Sequence, residues 1–211
     1  MIIAPEYYEY LLAHVDYTET YFLAAIACII FNPLWWNIQA RAEYKHHYLT
    51  RLCGGSKYAG CYLIAFLIFT LGILRDYLFA QALLRQPTLE EFNRVEVEYL
   101  SYALYGIGGI LVLSAYLRLG ITGTYLGDYF GILMKERITG FPFNVMNNPM
   151  YNGSVMLFLA HSLAEKSLAG VAITFVVYIV YKIALIFEES FTTYIYETAA
   201  ANALKSSKKN K

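Results

Sequence analysis

TYLGDYFGILMKERITGFPFNVMNNPMYNGS (Thr124–Ser154) is the longest stretch of this 211-residue sequence that is neither a clean apolar helix nor a simple polar loop. Asp128, Lys135, Glu136 and Arg137 are interleaved there with Tyr125, Tyr129, Phe130, Phe141, Phe143 and Tyr151. Pro142 and Pro149 deny it a continuous helix, because each lacks an amide donor and restricts the residue before it. Apolar runs flank it on both sides. Irregular backbone at membrane depth needs protein or water around it. The stretch therefore reads either as a site for an amphiphilic substrate or as an ordinary interfacial loop.

Composition sets the solvent. Hydrophobic residues make up 58% of the chain and charged residues only 15%, a balance that excludes an ordinary soluble domain. Formal net charge is zero and no Lys/Arg run could track a phosphate backbone, so nucleic acid is not an expected partner. The 21 tyrosines suit a membrane–water boundary, where the ring is apolar and the hydroxyl wet. Cys28, Cys53 and Cys61 are odd in number and lack CxxC spacing, and His46-His47 are adjacent and cannot share a helix face. No metal is expected. The N-terminus carries Glu6, Glu9, Asp16 and Glu19 without a basic start, so no cleavable signal is expected.

Outward from the central stretch, the sequence predicts an all-α integral membrane bundle of four to five segments, a single domain over 1–211. The apolar runs are Tyr21–Trp36, Tyr58–Phe79, Tyr99–Leu117, the short Val155–Leu163, and Leu168–Phe187. Arg75-Asp76 reads as the approach to the end of the second run. After Phe187 the chain continues without Gly or Pro, predicting one long helix whose 190–211 portion leaves the membrane as a cytosolic helix and basic tail. Lys208-Lys209-Asn210-Lys211 has the dilysine pattern of retrieval to the endoplasmic reticulum, against a plain solvated tail as the alternative. With that tail cytosolic, five segments place the basic loop 37–57 and the central stretch on the cytosolic side. The acidic loop 80–98 and the acidic N-terminus then share the other side. Four segments would send the basic loop to the lumen, so five is the preferred reading.

Glu188 and Glu189, just past a 20-residue apolar run, are the sharpest chemical signal, since ions near the bilayer are costly to bury. They could hold a cation, an amino group or a ribose; a solvated helix end is the plainer reading. Gly106, Gly108 and Gly109 interrupt an apolar helix, as close helix packing would require. No strand precedes them, so GxGG is not a dinucleotide fingerprint. Asn147–Gly153 reads as a turn into a helix start, whose free N–H groups suit an anion. Neither GxSxG nor HExxH is present; carboxylates, tyrosines and backbone groups suit binding and orienting more than bond cleavage.

Seven stretches taken in order resemble the phosphatidylethanolamine N-methyltransferase family, particularly its fungal phospholipid methyltransferases. They are FNPLWWNIQARAEY (Phe31–Tyr44), CGG and GCY around Cys53–Tyr62, QALLRQPT (Gln81–Thr88), GIGGILVLS (Gly106–Ser114), LGITGTYLGDYFGIL (Leu119–Leu133), GFPFNVMNNPMYNGS (Gly140–Ser154) and YKIALIFEE (Tyr181–Glu189). Ser190 departs from the family's usual proline. The resemblance implies methyl transfer from S-adenosylmethionine, leaving S-adenosylhomocysteine, to the amine of an ethanolamine phospholipid in the bilayer. It puts the cofactor motifs on Gly106-Ile107-Gly108 and Glu188-Glu189, and a proline–x–tyrosine turn on Pro149 and Tyr151. The attacking amine must be neutral, so Asp128, Glu136 or Tyr151 is expected to assist its deprotonation. Glu189→Gln is expected to weaken cofactor binding sharply.

The fungal wording favours the monomethyl and dimethyl lipids as substrates and phosphatidylcholine as product. All three methylations, or isoprenylcysteine-type carboxyl methylation, are the alternatives. A non-enzymatic lipid-binding or scaffold subunit is the competing class. The resemblance implies the endoplasmic reticulum or a mitochondrial membrane, and leaves a homo-oligomer open. One tension follows: with five segments, Gly106 lies near mid-membrane, well away from Glu188.

Overall fold

The computed structural model describes residues 9–10, 13–136 and 138–209, and the described chain is almost wholly helical. Among the described residues, the helices with defined bounds are α1 (Thr20–His46), α2 (Tyr48–Leu52), α3 (Lys57–Leu83), α4 (Val95–Thr124), α5 (Pro149–Ala164) and α6 (Leu168–Lys209). Short 3-10 turns occupy Glu90–Phe92 and Gly127–Phe130. Among the described residues, four helices (α1, α3, α4 and α6) are long and apolar enough to cross a membrane. The dilysine pattern straddles the end of the described residues, with Asn210 and Lys211 outside them, as are Arg137 and Glu6.

Local chemistry sets several boundaries. The Glu19 carboxylate accepts from Phe22 N at 2.6 Å and starts α1, and Ser56 Oγ does the same for α3 through Ala59 N. Pro149 opens α5 at a position where no amide donor is needed. Gly120 interrupts α4 with φ 63°, a left-handed conformation that glycine alone adopts without steric cost. The last turns of α4 are thereby redirected toward the 3-10 turn that carries Asp128. Glu43 is fully buried yet satisfied: it accepts from Leu49 N at 2.7 Å and from the Thr50 hydroxyl, fastening α2 beneath the end of α1.

Two expectations shift. The run read as ending at Trp36 is helical through Asn32-Pro33 to His46. Asn32 is tolerated inside because its Nδ2 donates to Leu71 O at 3.1 Å. Arg75-Asp76 lies within α3, a little over two turns before its end, rather than at its close. Helix α6 runs unbroken through Ser190, as the lack of Gly and Pro implies.

The helices alternate in direction. At one end, Asp16 N donates to Gln86 Oε1, Leu89 N donates to Lys166 O, and Thr88 bridges Ser167. At the other, Lys57 Nζ donates to Gly131 O, Met134 N donates to Tyr196 Oη, and Asn148 Nδ2 donates to Glu189. Helix α5 joins the two ends. Its start touches Glu188 through Tyr151, and its last turns touch Gly170 and Thr174 through Ser162. The loops are thus grouped as five antiparallel segments require, although α5 has only 16 residues.

Helix α4 packs along α5 at a glycine crossing. A Cβ at Gly108 would lie 2.8 Å from Gly153 O, and one at Gly153 would lie 2.8 Å from Gly108 O. Side chains at either position would force the backbones apart. The core is split in two. One cluster joins Phe22, Ile29, Phe79, Phe158, Ile173 and Val177; the other joins Ala40, Leu49, Ile64, Tyr129, Phe130 and Ile195. Between them lies a polar layer.

Candidate active site

That layer surrounds a cavity of about 540 Å3. Helix α6 supplies Tyr181, Glu188 and Thr192; α1 supplies Asn32 and Trp36; α3 supplies Arg75 and Asp76. The end of α4 and its 3-10 turn add Thr124, Tyr125 and Asp128, and α5 adds Pro149, Tyr151 and Ser154. Helices α3 and α4 touch each other little. The cavity wall between them is apolar, made by Phe69, Ile73, Val112 and Leu119. Phe69 and Ile73 are exposed on the outer surface of the bundle, so this side faces where lipid chains would lie.

Glu188 is the best-anchored polar group in the cavity. Its Oε1 accepts from Trp36 Nε1 at 2.6 Å and Asn37 Nδ2 at 3.1 Å, and its Oε2 accepts from Tyr151 Oη at 2.7 Å. A carboxylate has about four acceptor sites, so three neutral donors leave one open. No cation pairs with it: among the described residues the ion pairs are His47–Glu43 and Arg75–Asp76. Asp128 also lacks a cationic partner and accepts from Thr192 Oγ1 at 2.8 Å, one helical turn beyond Glu188. Two carboxylates without counter-ions therefore share one cavity, and an added cation would be attracted to it.

The rest of the wall is tied to this pair. The Tyr151 ring meets Tyr181 edge-on at 4.9 Å, and Tyr181 Oη accepts from Arg75 Nη1 at 2.5 Å. Arg75 is held by Asp76 at 2.8 Å and lies 5.0 Å from the Phe158 ring centre. Thr124 Oγ1 is buried without a hydrogen-bond partner among the described residues. Buried polar atoms are normally satisfied, so the Thr124 hydroxyl, which lines the cavity, is available to a ligand.

Of the residues singled out in the sequence, Asp128, Pro149, Tyr151 and Glu188 line the cavity. Glu189 does not: it is exposed and accepts from Asn148 Nδ2 at 2.7 Å. Glu136 is exposed and outside the wall. Gly106 and Ile107 are exposed, and Gly108 faces Gly153; α4 first reaches the cavity at Val112, a turn further on. The separation of Gly106 from Glu188 that five segments imply is therefore present.

Trp36, Asn37, Arg75, Tyr181 and Thr192 are additional polar neighbours that the sequence did not single out. One signal was available for Arg75, since a charge within a membrane helix marks a functional position by default. In the sequence Trp36 marks only the end of the first apolar run. Its donation to a carboxylate 152 residues away is invisible until the helices are placed.

Residues 97–199 match the phospholipid methyltransferase family. The chain is 72% identical to phosphatidylethanolamine N-methyltransferase A of Dictyostelium discoideum, over 97% of this chain and 96% of the relative. It is 52% identical to phosphatidyl-N-methylethanolamine N-methyltransferase of Saccharomyces cerevisiae, over 90% and 92% of the two chains. It is 44% identical to phosphatidylethanolamine N-methyltransferase of Homo sapiens, over 93% and 98%. No solved structure matches it significantly.

Proposed function

Since the chain belongs to the phospholipid methyltransferase family, we propose that it methylates the amine of ethanolamine phospholipids on the way to phosphatidylcholine, with S-adenosylmethionine as donor. The observation that carries this reading is the pair Glu188 and Asp128, two carboxylates without cationic partners in one cavity with an apolar flank. The amine substrate in its resting ammonium form and the sulfonium donor are both cations. The phospholipid's chains would lie against Phe69 and Ile73 between α3 and α4.

The residues present fit the donor. The cavity volume falls within the range of roughly 300–1,000 Å3 usual for such ligands. Glu188 has an acceptor site to spare, and the Thr124 hydroxyl needs a partner. S-adenosylmethionine supplies a methyl group on sulfur that already carries its leaving group. The protein's part is to desolvate and align, which can itself contribute several kcal/mol. Glu188, with Trp36, Asn37 and Tyr151 fixing its carboxylate, would hold the donor's amino or hydroxyl groups. Asp128, steadied by Thr192, would take the proton from the ammonium before attack. Tyr125, Tyr151 and Tyr181 present ring surface to a methylated nitrogen, a favourable contact for a cation. Glu136 lies too far out for the base, and Glu189 is proposed to act on the rim through Asn148.

Two substrate ranges stand. The name carried by the yeast relative favours the monomethyl and dimethyl lipids, whereas the name of the Dictyostelium relative favours a start from phosphatidylethanolamine. The endoplasmic reticulum is the proposed membrane, supported by the lysines at 208, 209 and 211. The test is transfer of labelled methyl by purified protein in lipid, with the three headgroups offered separately and prenylcysteine as control. Label in the lipids and none in prenylcysteine is expected. Silence on all three lipids with the donor still bound would overturn the acceptor assignment.

A further inference from the structure

On the other side of Asn37 from the cavity, α1 and α6 leave a second recess of about 370 Å3. Its floor is apolar: Ile30, Leu34 and Ile38 repeat every fourth residue along α1 and face Ile183 and Phe187 of α6. Arg41 and Asn37, one helical turn apart, stand at one end. Their hydrogen bonding is incomplete. Arg41 Nη2 donates to Phe187 O at 2.9 Å and the guanidinium lies 4.7 Å from the Phe191 ring centre, but Arg41 Nε is buried with no hydrogen-bond partner among the described residues. Asn37 Nδ2 donates to Pro33 O and to Glu188, while Asn37 Oδ1 is buried and unpartnered. No carboxylate forms an ion pair with Arg41 among the described residues.

An uncompensated guanidinium beside a free amide oxygen, at the head of an apolar trough, is complementary to one chemistry. We infer that the groove holds a phospholipid of net negative charge. Its phosphate sits on Arg41, a headgroup hydroxyl donates to Asn37 Oδ1, and one acyl chain lies along the floor. The dimensions agree. From Arg41 back to Ile30 is 11 residues of helix, about 16 Å, enough for roughly a dozen methylenes. Arg41 lies just beyond Trp35-Trp36, at the depth where phosphates meet an interfacial aromatic belt. The proposed substrates and product carry no net negative charge, so this lipid would be distinct from them. It would also sit one side chain from Glu188, with Asn37 between.

The chain's two tryptophans, Trp35 and Trp36, lie on α1 between the groove residues Leu34 and Asn37 and provide the readout. Purified protein is placed in phosphatidylcholine vesicles in which a growing fraction of lipid has brominated chains. Brominated phosphatidylglycerol is expected to quench at about fivefold lower mole fraction than brominated phosphatidylcholine. Arg41→Gln should make the two lipids equivalent, whereas Lys45→Gln, a charge removed from the same helix end outside the groove, should leave the preference intact. If Arg41→Gln does not fold, the pair Leu34→Phe and Ile183→Phe narrows the floor with Arg41 in place and should also abolish the preference. Equal quenching by the two lipids in the unaltered protein would overturn the inference. So would a preference that survives both changes, or an equal preference for brominated phosphatidylethanolamine, which would make the groove a substrate passage.

Discussion

The resemblance assigns the cofactor to two regions, the glutamate pair on α6 and the glycine stretch on α4, and the structure treats them differently. Glu188 projects into the cavity, where three donors from α1 and α5 converge on its carboxylate. The glycine stretch faces two ways. Gly108 lies against Gly153, while Gly106 and Ile107 face outward with nothing near an added Cβ at Gly106. A polar group in a membrane helix draws partners from across the fold, because unsatisfied polarity there is costly. A glycine draws only proximity, and proximity is explained by helix packing before it is explained by a ligand.

The largest effect should come from Glu188→Gln. An amide at this position turns one acceptor oxygen into a donor that faces Trp36 and Asn37, or Tyr151, all of which already donate. A hydrogen bond to a charged group is worth roughly 1.5–3 kcal/mol, so donor affinity measured by calorimetry should fall by about 10- to 100-fold. Glu189→Gln should stay within about fivefold, because that carboxylate is exposed and has one partner. This departs from the sharp loss that the sequence alone assigns to Glu189. The reverse ranking would place the donor on the outer rim rather than in the cavity.

The middle effect tests the other half of the comparison. Gly153→Ala pushes a methyl into Gly108 O at 2.8 Å and into Leu111 and Val112 at 3.0 Å. Overpacking of this sort costs about 1–3 kcal/mol. Thermal unfolding in detergent should therefore shift downward, with donor affinity unchanged in the molecules that remain folded. A loss of affinity at unchanged melting temperature would mean that the crossing contributes to the donor site itself.

Much of this was legible without coordinates, and the reasons are local. Apolar length betrays the spans, and Pro149 marks the start of α5. The signs of the loops group the chain ends: the acidic segment around Glu90 and Glu91 lies at the end opposite to the basic segment around Arg51 and Lys57. What stayed hidden depends on partners distant in sequence. The first run looks finished at Trp36, soon after Asn32-Pro33, until the Leu71 carbonyl is found to satisfy the asparagine inside the helix. Arg75-Asp76 looks like a boundary until Tyr181 and Phe158 are found to cover the guanidinium. Glu188 and Glu189 are adjacent and chemically identical. Only the helical phase, about 100° between them, decides which faces inward.

The smallest expected effect is the most discriminating. Gly106→Ala adds a methyl where nothing lies within 4 Å, in a helix that gains from alanine's higher propensity. Stability should hold within about 0.5 kcal/mol or rise slightly. Donor affinity should be unchanged, because the wall of the cavity begins more than a turn and a half further along, at Val112. A clear drop in affinity with stability intact would show that the donor extends out of the cavity, past Val112, along the outer face of α4. Glu188 would then hold one end of an elongated site, and the glycine stretch would serve contact as well as packing. An unchanged affinity would leave Gly108 and Gly153 as the whole reason for glycine there, and would confine donor recognition to the ring of side chains around Glu188 and Asp128.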